Sequence, residues 1–428
     1  MSSTNGLICF TNCLLPLEDG SLVEKDLWID ERRGVILDSQ KTFFKRRQRP
    51  DRVIDLGGNI LSPGYLDIQI NGAYGFDFSV FEGDHAAYRE GIKMVAEKIV
   101  ETGVTSLVPT IITQEKSLYP TLLNLLRPYS SPTSATMLGW HAEGPFIQLA
   151  KRGAHAPEFL LKADDGLASF EDVYGAENLA VQEDWLMACE PMSDAVGVRI
   201  VTAAPEIGGV REAMEEACRR GVVFSIGHSI ATTDIATAAV VGGARLITHL
   251  FNAMPQLHHR DPSIIDLGLK KGEVAQMAFE RPFYEMIVDG IHSHPNSVRL
   301  AYSAYPEGCI LITDAMKILD PNLKDGVHEW RDGKRFVKEG DKLYLEGTDT
   351  LAGSAVTLDK CVRNFSRFTG CSLGEAIRCA TYNPARCLGI EHKKGTLRPG
   401  ADADLIVLDR KGYVRGTWVR GREVWSRK

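Results

Sequence analysis

"TMLGWHAEGPF", residues 136–146, has the form of an apolar strand that stops at Gly144 and Pro145, with two ionisable groups, His141 and Glu143, just before the stop. Positions two apart on a strand point to one face, so His141 and Glu143 share a face. Seven further apolar segments recur along the chain: "YLDIQI" (65–70), "TSLVPTI" (105–111), "VRIVTAAPE" (198–206), "VVFSIGH" (222–228), "ARLITHLFN" (244–252), "YEMIVDGIH" (284–292) and "CILITDAM" (309–316). Helical patterns lie between several of them. In "YREGIKMVAEKIVETG" (88–103), Ile92, Val95, Ile99 and Val100 fall on one face. "VREAMEEACRRG" (210–221) closes with Arg219, Arg220 and a glycine, as a helix C-terminus should. Eight strands alternating with helices predict an α/β fold, a parallel sheet closed into a TIM-like (β/α)8 barrel.

The two ends of the chain differ from this middle. "GLICFTNCLLP", "SLVEKDLWID" and "GVILDSQ" near the start, and "GTLRPGADADLIVLDRKGYVRGTWVRGREVW" near the finish, read as short strands with polar turns. They predict one small discontinuous β-sandwich domain from residues 1–62 and 385–428, around a barrel of residues 63–384. The stretch 167–196 is long and weakly patterned, and is expected to be an insertion or mobile loop.

Composition narrows the function classes. The chain has 428 residues, a net charge of −7 and a pI near 5.9. That balance argues against nucleic-acid or membrane-surface binding driven by bulk charge. The basic run "KRRQR" (45–49) is expected to be a solvated loop. Nine cysteines without a CxxC pair suit reduced thiols and a cytoplasmic setting better than a disulfide framework. The start has no basic segment leading into a long apolar one, so no signal peptide is expected. No uncharged apolar run has the length of a membrane span.

Active sites of such barrels gather at the C-terminal ends of the strands. The polar residues there are His141 and Glu143, His228, His249 and Asn252, Asp289 and His292, and Asp314. One histidine in such a place is more often structural than a ligand, and one aspartate often caps a helix. Together, so many titratable groups following apolar runs at one end suggest a reacting centre. Glu143, His228 and His249 supply one carboxylate and two imidazoles, a set that holds a catalytic divalent metal and leaves room for water. Asp314 across the mouth would then accept a proton from that water. This is hydrolysis of an amide or similar bond. The long spacing of the three residues is not diagnostic by itself.

Several stretches carry a resemblance covering nearly the whole chain: "LSPGYLDIQINGAYG", "GWHAEGPF", "KRGAHAPEF", "TAAPE", "SIGHSIATTD", "THLFNAMPQLHHRDP", "IVDGIH", "LITDAM", "LAGS" and "TYNPAR". The chain resembles the amidohydrolase superfamily, and within it the deacetylases of N-acetylated sugar phosphates. The resemblance implies one divalent metal ion per subunit, zinc foremost with cobalt, iron or manganese as alternatives, on Glu143, His228 and His249. It implies Asp314 as general base and then general acid. The implied reaction removes acetate from N-acetylglucosamine 6-phosphate to give glucosamine 6-phosphate, a step of amino-sugar metabolism. The implied substrate contacts are Ala154, His155, Asn252, Ala253, Arg260 and His292, with Leu351, Ala352 and Gly353 on a substrate-side loop. Arg260 suits a phosphate clamp, because guanidinium pairs bidentately with phosphate, and backbone N–H groups of Asn252 and Ala253 would add donors. His155 or His292 would stabilise the developing oxyanion. The resemblance also implies a homo-oligomer, expected as a homodimer with Arg260 donated across the interface.

One departure from the wider superfamily is in "DIQING" (67–72), where Gln69 and Asn71 stand in place of a His-x-His pair. Amides are poor ligands beside imidazole, so a single metal is expected. His141, one layer deeper than Glu143, is read either as support for the site or as a structural histidine. Two other readings stay open: a different amidohydrolase reaction on the same scaffold, and a non-catalytic barrel acting through protein contacts. The phosphate features argue against the first. The full set of Glu143, His228, His249 and Asp314 argues against the second.

Overall fold

The computed structural model describes residues 5–180, 197–269, 280–329, 335–340, 342–348 and 353–427. Its centre is a parallel barrel of eight strands among the described residues: β1 (Tyr65–Ile70), β2 (Val104–Ile112), β3 (Trp140–Glu143), β4 (Val198–Ala203), β5 (Val223–Ile226), β6 (Leu246–Ile247), β7 (Phe283–Ile287) and β8 (Cys309–Ile312). Neighbours pair in chain order from β1 to β8, always parallel. The seam between β8 and β1 is closed by loop hydrogen bonds: Asp314 N–H to Gln69 O at 2.9 Å and Asn71 N–H to Ala315 O at 2.8 Å. The Asp67 carboxylate adds to it, accepting from the Thr313 hydroxyl at 2.6 Å.

The strands are apolar on both faces because helices cover the outside and side chains fill the inside. One large buried cluster joins the strands to the surrounding helices. The amphipathic stripe expected in the helix after β1 is met: Ile92, Val95, Ile99 and Val100 are all buried. The helix Val210–Arg219 stops at Arg220 and a left-handed Gly221, as its sequence ending predicts.

The strands are shorter than the apolar runs suggested. β3 does not run from residue 136; a separate Thr136–Met137 strand precedes it, and Gly139, at φ 123°, breaks the two apart. β6 keeps only two residues of the segment 244–252. At the other end of β5, β6 and β8 the chain turns abruptly at residues with positive φ: His228 at 49°, His249 at 31° and Asp314 at 44°. Each left-handed non-glycine residue is held at a cost of ~1 kcal/mol or more. Sequence periodicity has no term for such turns.

The two chain ends meet in a second body with its own apolar cluster, including Ile8, Phe10, Ile29, Leu61, Leu405, Val407 and Trp418. One sheet has four strands, in the order Val35–Leu37, Leu27–Asp30, Leu7–Thr11, Arg52–Asp55. The other has six and mixes both ends, with Ile60–Pro63 paired antiparallel to Leu405–Leu408. The expected boundary at 384/385 falls inside a helix, Tyr382–Leu388. Pro384 sits in its first turn, where no N–H is needed, and left-handed Gly389 ends it. The strand Ile60–Pro63 likewise runs one residue past the expected 62.

Two segments differ from the sequence reading. The described part of 167–196 is not a loop: Leu167–Tyr174 is an α-helix, followed by a 3-10 turn at Ala176–Leu179. Phe170 stacks on Phe146 with ring centroids 4.2 Å apart, and the buried Tyr174 hydroxyl donates to Gly144 O at 2.8 Å. Only eight residues long, this helix carries too few turns for its stripe to stand out. Residues 181–196 lie outside the described set. After β8, three short strands (Gly326–Glu329, Arg335–Glu339, Lys342–Leu345) form an antiparallel sheet over Ile318, Phe336 and Leu343. The sequence reading assigned nothing there. The run "KRRQR" is exposed, with the Arg49 guanidinium 4.9 Å from the Phe43 ring centroid.

Candidate metal centre at the barrel mouth

The strand ends bring Glu143, His228 and His249 together at the C-terminal mouth, all buried, with one ligand atom from each within 4.8 Å of the others. Glu143 closes β3. His228 and His249 lie two residues past the ends of β5 and β6, where the left-handed turns swing their rings inward. His228 Nε2 lies 3.0 Å and His249 Nε2 3.2 Å from Glu143 Oε1, and the two Nε2 atoms are 3.0 Å apart.

The proton inventory shows what this cluster is built for. His228 Nδ1 lies 2.7 Å from Lys151 O, so that nitrogen carries the hydrogen. In the neutral ring Nε2 then presents a lone pair, aimed at a carboxylate oxygen and at a second imidazole nitrogen. His249 Nδ1 is unpartnered, so the most the protein itself can place among these three atoms is a hydrogen on His249 Nε2, and a cation in its place would be held by all three. Backbone orientation of the far ring nitrogen is also how metal-binding histidines are commonly fixed. The donor set fits a divalent ion of the zinc type. Burial alone would raise the Glu143 carboxyl, but the imidazoles packed against it hold it well below the usual range. For His249, burial works downward, and the Glu143 contact outweighs it and raises the imidazole.

Asp314 faces this group from β8. Burial and the Glu143 charge push its carboxyl up to about 6, where a general base works well near neutral pH. Its Oδ1 accepts from Asn71 Nδ2 at 2.8 Å, and Gln69 Nε2 donates to Glu143 Oε1 at 3.0 Å. The two amides that stand in place of histidines therefore aim N–H groups at the two acids. Gln69 Oε1 and Asn71 Oδ1 are buried without partners.

The loop after β3 roofs the site. Lys151 O holds His228, and Gly153 passes over its ring: a Cβ there would sit 3.7 Å from His228 Cε1. His155 is buried with Nε2 at 4.0 Å from Glu143 Oε2 and Nδ1 at 2.8 Å from Thr113 Oγ1. Ala154 beside it is exposed. From β7, Asp289 accepts from His292 Nδ1 at 2.6 Å, which lowers the Asp289 carboxyl against burial and raises the imidazole. His292 is near enough for the charges of Asp314 and His249 to act on it.

The loop after β6 carries Asn252, Ala253 and Arg260. The Asn252 N–H donates to His249 O at 2.9 Å, so it is not a free donor as the sequence reading had it. Its side-chain Nδ2 is buried and unpartnered instead. Ala253 stands at φ 51°. Arg260 is exposed, its Nε 3.2 Å from His259 Nε2. Gly353, at φ 97°, packs against Met316 beside the β8 end, where Ser354 bridges to Ala315. Leu351 and Ala352 lie outside the described residues.

Of the polar layer below the mouth, sequence reasoning picked out only His141. His141 Nδ1 is 3.2 Å from Ile68 O and Nε2 is 2.7 Å from Thr202 Oγ1. Burial lowers its imidazole to about 4. Glu285 on β7 is wholly buried, and burial raises its carboxyl well above the usual range. Asp67 is pushed up to about 7, again by burial. The available signal was a polar residue interrupting an apolar strand, as in "YLDIQI" and "YEMIV".

Residues 60–424 match the amidohydrolase family. The chain is 42% identical over 425 residues to the N-acetylglucosamine-6-phosphate deacetylase of Bos taurus, covering 98% of this chain and 96% of that one. A crystal structure of N-acetylglucosamine-6-phosphate deacetylase from Thermotoga maritima superposes with a TM-score of 0.75 at 25% identity, covering 98% of this chain and 100% of that one. A mutant of the Mycobacterium smegmatis enzyme in complex with N-acetyl-D-glucosamine-6-phosphate gives a TM-score of 0.74 at 26% identity, covering both chains in full.

Proposed function

The chain belongs to the amidohydrolase family, and from that premise we propose that it hydrolyses N-acetylglucosamine 6-phosphate to glucosamine 6-phosphate and acetate. The observation that carries this reading is the convergence of the His228 and His249 Nε2 atoms on Glu143, with Asp314 opposite. It is supported by the 42% identity to a deacetylase of that substrate over nearly the full chain.

Glu143, His228 and His249 would hold one divalent ion, zinc foremost; Gln69 and Asn71 offer no second imidazole pair. Such an ion polarises the acetyl carbonyl and acidifies water. Asp314 takes a proton from the attacking water on its carboxylate as the water oxygen bonds to the acetyl carbon. His155, whose Nδ1 accepts from the Thr113 N–H at 3.3 Å, keeps its hydrogen on Nε2 and would donate it to the developing oxyanion; His292, whose Nδ1 hydrogen goes to Asp289, would donate from Nε2 as the imidazolium that Asp289 favours. Asp314 then passes its proton to the sugar nitrogen as the C–N bond breaks. Water is consumed, and no other co-reactant is needed.

Asn252, Ala253 and Arg260 would hold the phosphate, with Ala154, Leu351, Ala352 and Gly353 along the sugar. Arg260 stands exposed on the rim, as do Leu149, Ile230 and Leu257 on neighbouring mouth loops. That apolar rim supports a homodimer in which Arg260 serves the partner's site. The separate apolar cluster formed by the chain ends supports a small domain from residues 1–62 and 385–428 beside the barrel of 63–384, with the edges at Pro63 and Gly389. A cytoplasmic setting is the one that nine scattered cysteines without a CxxC pair would suit; no described helix is long and apolar enough to cross a membrane. The test is kcat/KM for N-acetylglucosamine with and without the 6-phosphate. A strong preference for the phosphorylated sugar is expected, and no preference would refute the substrate.

A further inference from the structure

Below the mouth, four side chains from four strands or strand ends form one hydrogen-bonded chain. His141 (β3) places Nδ1 3.2 Å from Ile68 O (β1) and Nε2 2.7 Å from Thr202 Oγ1 (β4). Thr202 Oγ1 lies 2.7 Å from Thr248 Oγ1, just past β6, and Thr248 Oγ1 lies 2.5 Å from Ser225 Oγ (β5). All four residues are buried, at 0% exposure. A carbonyl faces Nδ1, so the neutral ring keeps its hydrogen there and accepts at Nε2. The direction of every other bond follows: Thr202 donates to His141, Thr248 to Thr202, and Ser225 to Thr248. Each hydroxyl hydrogen is used once.

The chain ties together the strands that carry the candidate ligands. His141 precedes Glu143 by two residues on the same face, Ser225 precedes His228 by three, and Thr248 adjoins His249. Gly227, next to His228, is wedged against two of the same side chains: a Cβ there would lie 2.7 Å from Thr202 Cγ2, 2.7 Å from Thr248 Cβ and 2.9 Å from Thr248 Oγ1. The close fit transmits a shift of the belt to the backbone that aims His228.

We propose that His141, Thr202, Thr248 and Ser225 are positioning residues, a belt that fixes the separation of Glu143, His228 and His249 and thereby sets their affinity for the metal. This rests on reading those three residues as ligands. All four are fully enclosed beneath the mouth and none is among the proposed substrate contacts.

The test measures zinc affinity of the metal-stripped full chain in competition with a chromogenic chelator. Thr248→Val keeps the shape and removes the hydroxyl at the centre of the belt. The dissociation constant is expected to rise ~10–100-fold, the range for partners that orient metal ligands. Thr248→Ser, which restores the hydroxyl, should recover wild-type affinity. With zinc saturating, KM should equal that of the wild type. If Thr248→Val lowers Tm but binds zinc as tightly as wild type, the belt is mere core filling and the proposal fails. Should Thr248→Val not fold, Ser225→Ala at the end of the belt takes its place, and unchanged affinity there overturns the proposal equally. A wild-type chain that binds no stoichiometric zinc would instead overturn the ligand assignment itself.

Discussion

Two buried clusters of charge sit in this molecule, and they are built in opposite ways. In the loop that leads into the strand Leu405–Leu408, Lys394 Nζ lies 2.6 Å from Asp404 Oδ2 and 2.9 Å from Asp402 Oδ2, and Asp404 Oδ1 also accepts from the Arg420 N–H. Burial alone would lower the Lys394 ammonium, but the two aspartates outweigh it and raise its pKa. Donors face acceptors throughout. At the barrel mouth, Glu143, His228 and His249 aim electron-rich atoms at one another, and their neighbours His249 Nδ1, Gln69 Oε1, Asn71 Oδ1 and Glu285 Oε1 have no partner. The first cluster completes itself; the second leaves buried polar atoms over. A buried charged group is thus weak evidence of function, whereas converging ligand atoms ringed by buried polar atoms that stay unpartnered are stronger evidence.

The largest expected contrast is in turnover. Asp314→Asn should lower kcat by ~10³-fold or more, the scale of a lost general base, while metal content by elemental analysis stays at the wild-type level. A variant within tenfold of wild type would remove Asp314 from the role of base. Stability should separate the clusters next. Lys394→Met strands two carboxylates and should cost ~3–5 kcal/mol in urea unfolding, with zinc affinity unaltered. Glu143→Gln should abolish stoichiometric zinc binding yet destabilise the metal-free chain less than Lys394→Met does. The reverse ranking would erase the distinction.

The two clusters should also answer pH from different sides. Asp314 must be ionised to accept a proton, and its carboxyl is raised to about 6. The rate should therefore fall as pH drops through about 6 or somewhat lower, since a bound cation favours the carboxylate. Lys394 has a folded pKa above its unfolded one. Its contribution to stability is fully present below the unfolded value of ~10.4 and is lost only as pH rises through the folded value. Rate and stability followed across the same pH range would show one limb each. The smallest effect is expected from Tyr174→Phe, which removes the hydrogen bond to Gly144 O. It should cost ~1–3 kcal/mol by leaving a buried carbonyl unsatisfied, and it should raise KM more than it lowers kcat by loosening the loop after β3.

By itself the sequence determined the barrel, its eight strands, the small body made of both ends, and the identity of the residues at the mouth. The physical reason is that burial on both strand faces forces apolar runs, and any ionisable residue at the end of such a run stands out. "SIGHS", "THLFN" and "LITDAM" announced His228, His249 and Asp314 in this way. What the sequence could not carry was direction. The left-handed turns at His228, His249 and Asp314 decide where those side chains point, and no residue type there signals them as glycine would. The short helix Leu167–Tyr174 is held by Phe146 and Gly144, partners distant in sequence. The tautomers of His141 and His228 depend on carbonyls of Ile68 and Lys151. Hydrogen-bond direction is a property of pairs, and only the folded chain makes the pairs.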